Sequence, residues 1–147
     1  MSLTLAEGSA VALVLAAEGL DGADDADTFL VAIGTNHRLW LALTGLAGRH
    51  AWEVIDQRMT DFVVSMSYKA GRGIPDEHVE ALIAINRDVA SWLTAGGDLA
   101  PIRRRAESVW AESGQGRGLR LMEWLISEIE RRWRSGQKDL PKIGDPA

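Results

Sequence analysis

Cysteine is missing from this sequence, which excludes disulfides and thiolate metal sites and fits a reducing compartment. No apolar run is long enough to cross a bilayer. The stretch from Ala10 to Ala17 offers eight residues where about 20 are required. No Lys or Arg precedes it and Glu7 stands before it, the reverse of a secretory leader, so we read it as a buried helix and expect a cytoplasmic protein. Strand-like alternation is also missing, and no repeat of 20–50 residues is evident. Catalytic patterns are equally scarce. There is no G-x-S-x-G elbow and no HExxH, and His37, His50 and His78 never fall at the i, i+4 spacing of a helical metal site. The expectation is a chain without catalysis, metal or cofactor, with His37 packed at a core edge.

What remains is a globular composition, 46% hydrophobic and 25% charged, over 147 residues, enough to bury a core without staples. Six segments carry helical periodicity. They predict an all-α fold: a bundle of about four antiparallel helices plus two C-terminal helices. The first helix is placed at 4–19, with Thr4 and Glu7 at capping-box spacing and Ser9 as a rival cap. The second, at 28–47, is capped by Asp27 or Thr28, shows Ile33, Asn36, Trp40 and Leu43 on one face, and is stopped by Gly45 and Gly48. The third is placed at 51–70, and the fourth starts near Asp76 and closes at Gly96-Gly97. Two more follow at 101–112 and 118–135, and residues 136–147 are expected to form a disordered tail.

Charge changes sign along the chain. Residues 1–97 hold six Lys+Arg against thirteen Asp+Glu, a balance of -7; residues 98–147 hold ten against eight, a balance of +2. Gly96-Gly97 therefore marks a candidate boundary between an acidic bundle, 1–97, and a C-terminal extension, 98–135. The acidic part disfavours nucleic acid. The basic residues Arg103, Arg104, Arg105, Arg131, Arg132 and Arg134 are interspersed with glutamates, which suggests a solvated face with i, i+4 ion pairs. The aspartates between Asp21 and Asp27 lack calcium-loop spacing and suit a helix N-terminus instead. Gly114-Gln115-Gly116-Arg117-Gly118 lacks the Lys-Ser/Thr of a phosphate loop and reads as a joint between helices.

Two polar residues stand on core stripes, Asn36 and Asn86. A buried amide must find partners, so the pair is expected to bond each other or nearby backbone and to fix register. Six tryptophans are many for this length. Trp40 and Trp52 are expected in the core, while Trp92, Trp110, Trp124 and Trp133 are candidates for a partner-binding surface, two of them buried and two exposed.

Asn36-His37-Arg38-Leu39-Trp40-Leu41-Ala42-Leu43 resembles the Asn-x-x-Leu-Trp-x-x-Leu signature of the FlaF family of flagellar proteins. Phe62-Val63 is similar to that family's aromatic-Val pair, and Leu82-Ile83-Ala84-Ile85-Asn86-Arg87 to its Leu-Ile-x-Ile-Asn-Arg element. The match covers about residues 29–95. The resemblance implies a helical cytoplasmic factor that promotes flagellin synthesis or export by binding flagellin, alongside the regulator FlbT, with Asn36, Leu39, Trp40, Phe62, Val63, Leu82, Ile85 and Asn86 as motif residues. Two alternatives stand beside it: a self-association module that forms a homodimer through the C-terminal helices, and an RNA-binding regulator of flagellin message.

Overall fold

The computed structural model describes residues 3–69, 73–115 and 118–135; the expected tail at 136–147 lies outside them. Within these residues the chain is all-helical, with six helices packed against one another and no strand. They are α1 (Leu5–Asp21), α2 (Ala26–Ala47), α3 (Gln57–Lys69), α4 (Asp76–Leu93), α5 (Leu99–Ser113) and α6 (Leu121–Arg134). No helix among the described residues is long and apolar enough to cross a membrane.

The apolar run at Ala10–Ala17 forms the middle of α1, and α1 is the centre of the bundle. It packs against α4, α2, α6 and α5. A helix with neighbours on all sides needs apolar residues on all sides, and α1 buries Leu5, Val11, Leu13, Leu20 and four alanines. Its small residues let neighbouring helices approach closely, as where Gly19 meets Ala32 of α2. The start is set as the spacing implied: Thr4 Oγ1 accepts from the Glu7 N–H, and Glu7 accepts from the Thr4 N–H, each at 3.0 Å.

Four helix starts differ from the expectation by two residues or more, each for a local reason, and α5 begins at Leu99 rather than 101 because Asp98 caps it through the Ala100 N–H at 3.0 Å. α2 begins two residues early because Asp25, not Asp27 or Thr28, is the cap, its carboxylate accepting from the Thr28 N–H at 2.8 Å. α3 begins at Gln57 rather than 51. Ala51 has a φ of 56°, which breaks a right-handed helix, and Asp56 then caps the new start through the Met59 N–H. Trp52 and Ile55 are buried all the same, within the connecting turns. α6 begins at Leu121, three residues late, because Leu119 stays in the connection, where its carbonyl accepts from the Trp110 indole.

α2 and α3 run antiparallel, with His37 against Tyr68 at one level and Thr44 against Thr60 at another. The two C-terminal helices share the core of the first four. Ala106 and Val109 of α5, and Trp124, Leu125, Ile126 and Ile129 of α6, are buried with the leucines of α1 and α2. α6 lies across α2 and α1, and α5 lies against α1. The buried apolar residues of both helices are thus engaged within one chain, while Ile102, Trp110 and Met122 stay partly exposed.

Two glycines allow that closure. Gly45 does not stop α2 but lies inside it, under Trp133 of α6; a Cβ there would stand 2.1 Å from the indole nitrogen. Gly114, at the end of α5, is enclosed by Trp124 and Trp110, with ring atoms 2.6 and 2.7 Å from a Cβ position. Its bareness therefore makes room for two indoles; residues 116 and 117 of the joint lie outside the described residues. Gly45→Ala is expected to lower stability by about 1–3 kcal/mol through overpacking, against the helix propensity gain of about 1 kcal/mol that alanine brings. Urea unfolding of the purified variant checks the sign.

Candidate functional site

Motif residues of α2 and α4 meet the backbone of α1 at one buried point. The Asn86 side chain, fully buried on α4, donates from Nδ2 to Asn36 Oδ1 of α2 at 2.7 Å and to the Leu13 carbonyl of α1 at 3.2 Å. Its Oδ1 accepts from the Trp40 indole Nε1 at 2.9 Å. One amide thereby answers three polar groups on two other helices. The Leu13 carbonyl is already an acceptor in α1's own ladder, and its second lone pair takes the amide. The expectation that Asn36 and Asn86 bond each other holds. They do so past α1, which packs extensively against α4.

Around this point the other motif residues are packing groups. Leu39, Val63 and Leu82 are buried, and Ile85 is half-buried. Phe62 is half-buried and meets His78 edge-on, with ring centroids 6.1 Å apart. His37 sits at the core edge, its ring against Tyr68 at 5.9 Å. The polar motif residues therefore fix α2 and α4 relative to α1, and the others are packing groups. Among the described residues no group of three His, Asp or Glu is placed to hold a metal ion.

The four candidate surface tryptophans divide. Trp124 is 2% exposed and belongs to the core. Trp110 is half-buried, its indole nitrogen bonded to Leu119 at 2.8 Å. Trp92 and Trp133 are 47% and 38% exposed. Periodicity missed a second apolar feature. Leu30, Val31 and Leu41 project from the outer side of α2, Val31 at 70% exposure, and Tyr68 projects from α3. The signal was present in the sequence, since apolar residues of α2 occur off its core stripe as well as on it.

The arginine cluster of α5 is not a free phosphate-binding surface. Arg103 forms a bidentate pair with Glu18 at 2.7 and 2.9 Å, and Arg105 donates to both carboxylate oxygens of Glu7. Arg38 pairs likewise with Glu130 of α6 at 2.6 and 2.8 Å. These bridges join different helices and stand beside local pairs of the kind expected, Arg103 with Glu107 at 3.8 Å and Arg131 with Glu128 one turn away in α6. Arg49 donates to the Arg132 and Trp133 carbonyls near the C-terminus of α6, where a cation also suits the helix dipole. Arg103 and Arg105 are thus already paired to carboxylates, which leaves Arg104 as the exposed cation of that cluster.

A scan against protein-family models, a search of curated proteins and a search of solved structures each gave no match to this chain.

Two predictions follow from this geometry. Asn86→Ala leaves the Trp40 N–H without its acceptor and Asn36 without its donor in a buried place, so it should lower stability by about 1–3 kcal/mol for each group orphaned; chemical denaturation measures it. The second concerns acid. Hydrogen bonds from Arg103 and Arg38 hold the Glu18 and Glu130 carboxyls below the ordinary 4.5. Burial alone would raise Glu7, but the Thr4 N–H and Arg105 outweigh it and lower it as well. A carboxylate with a depressed folded pKa contributes stability that is full above its ordinary pKa and lost as pH falls through the folded value. The melting temperature should therefore begin to slip as pH falls through the ordinary histidine range, because burial, with Arg49 and Arg132 nearby, holds His50 below its usual 6.5, and should fall more steeply below about 5 as the carboxylates protonate. Because the pairs are partly solvated, each contributes at most about 1 kcal/mol, and Arg103→Ala should flatten only part of the acid slope.

Proposed function

We propose that this chain is a non-enzymatic protein-binding factor of the FlaF type, acting in flagellum biogenesis by binding flagellin and promoting its synthesis or export in the cytoplasm. The observation that carries the reading is the convergence of the motif residues. Asn36 and Trp40 are far in sequence from the stretch from Leu82 to Asn86, yet both hydrogen-bond Asn86, and Val63 of α3 is buried in the same core with Phe62 packed against it. Three separate motifs that share one structural task resemble a family pattern more than three chance runs of apolar helix.

The surface chemistry agrees with a protein partner. Large apolar side chains on α2, α3 and α4 are left exposed, and a helical protein that leaves such groups in water commonly presents them to another chain. An amphipathic helix laid on a helical surface is a familiar mode of recognition.

The test is direct. Purified full-length chain mixed with flagellin should give a stoichiometric complex on size-exclusion chromatography, with no added ligand. Flagellin that elutes separately at concentrations well above those of both proteins in a cell would contradict the reading.

A further inference from the structure

Among the described residues, α5 is the least anchored of the six helices. It buries two side chains, Ala106 and Val109, fewer than any other helix. What holds it besides these is charge. Arg103 and Arg105 stand two apart, and such positions point to nearly opposite sides of a helix. Their partners on α1, Glu18 and Glu7, stand eleven apart, a rise of about 16 Å. One arginine therefore reaches towards each end of α1, and α5 lies across α1 instead of along it. Glu7, Val11, Val14 and Glu18 fall on one line of α1, at steps of four, three and four. The residues on that line between the two bridges are Val11, 1% exposed, and Val14, half-buried. Both connections of α5 contain left-handed backbone. Ala95 and Gly96 before it have φ of 53° and 74°, and Gly118 after it has 77°. A hinge is a few residues of this kind, at the ends of elements, that absorb a change of chain direction.

We propose that α5 is a strap: it opens as a unit from an otherwise folded bundle, uncovers the Val11–Val14 line of α1, and is held shut by its two ion pairs to Glu7 and Glu18. Its apolar hold is small, and local opening favours units with few buried contacts. The bridging side chains are 20–45% exposed, so their attraction is weakened by salt. α1 stays in place when the strap opens, because the Asn86 amide ties it from another side to α4 and α2. Ionic strength is thus the control on how much of α1 is uncovered.

The inference does not rest on flagellin, and its test needs no partner. Because the chain has no cysteine, a single thiol can be placed at will. Val109→Cys puts it under the strap, Val11→Cys on the line beneath it, and Val89→Cys in the core of α4, all at positions closed to solvent. In the folded chains dithionitrobenzoate should react with the first two about tenfold or more faster than with the third, which opens only with the whole bundle. Raising salt from about 0.05 M to about 0.5 M should speed the first two severalfold and leave the third no faster. Glu7→Gln with Glu18→Gln keeps the Thr4 cap, since glutamine also serves in a capping box. This pair should give the fast rates at low salt and remove the salt dependence. Equal rates at all three positions overturn the proposal, because α5 then opens only with global unfolding. Fast reaction of Val109→Cys alone overturns it too, because α1 then stays covered. So does fast reaction that ignores both salt and the two glutamines. If a cysteine unfolds its chain, hydrogen exchange of the unaltered protein decides the same question. Residues 99–113 should open before α1, α2 and α4, and faster in salt; opening together with them overturns the strap.

Discussion

The Asn86 amide is the constraint on which the rest of the arrangement depends. It lies where water does not reach, and its donors and acceptor have partners only if α1, α2 and α4 stand at one rotation and one height. Apolar packing is tolerant, since a leucine stripe can slide or turn with little loss. A buried amide that must satisfy an indole, a second amide and a backbone carbonyl is not, because any slip leaves a desolvated polar group. With Asn36 and Trp40 turned inward, helix geometry turns Leu30, Gly34 and Leu41 outward. The exposed face of α2 is thus a consequence of the network and not an accident of composition.

Charge operates at a second level. The sign change after Gly96-Gly97 resembles a division between two units, but acidic and basic parts meet inside the one chain. Glu7 and Glu18 of α1 hold Arg105 and Arg103 of α5, and Arg38 of α2 holds Glu130 of α6. These partly solvated pairs add little stability each. Their role is to choose among ways of laying two amphipathic helices on a core that would accept several. The same neutralisation leaves α5 a poor surface for phosphate.

Much of this was legible in the sequence, for identifiable reasons. A 3.6-residue period reports burial directly, so the six helices and the inward Asn36, Trp40 and Asn86 could be read before any coordinates. The Thr4–Glu7 box is local chemistry and was equally readable. Three kinds of feature were not. Among four aspartates near a helix start, spacing alone does not say which one caps, and Asp25 prevailed through its partner Thr28. The left-handed Ala51 leaves no mark in a residue type that normally favours helix. The separation of buried Trp124 from exposed Trp92 depends on which helices become neighbours, and the arginine partners 85 and 98 residues away depend on it too. Nor does sequence distinguish a glycine that ends a helix from one that admits an indole, as Gly45 does.

If the network sets the rotation of α2, then the outward placement of Leu30, Val31 and Leu41 is only as well defined as the Trp40–Asn86 hydrogen bond. Hydrogen exchange of the tryptophan indoles, followed by NMR on the full chain, tests this most directly. The Trp40 indole proton should exchange only with global unfolding, far more slowly than the exposed indole of Trp92. A Trp40 indole that exchanges as readily as Trp92 would mean that the buried amide does not hold the bundle, and the account built on it would be contradicted.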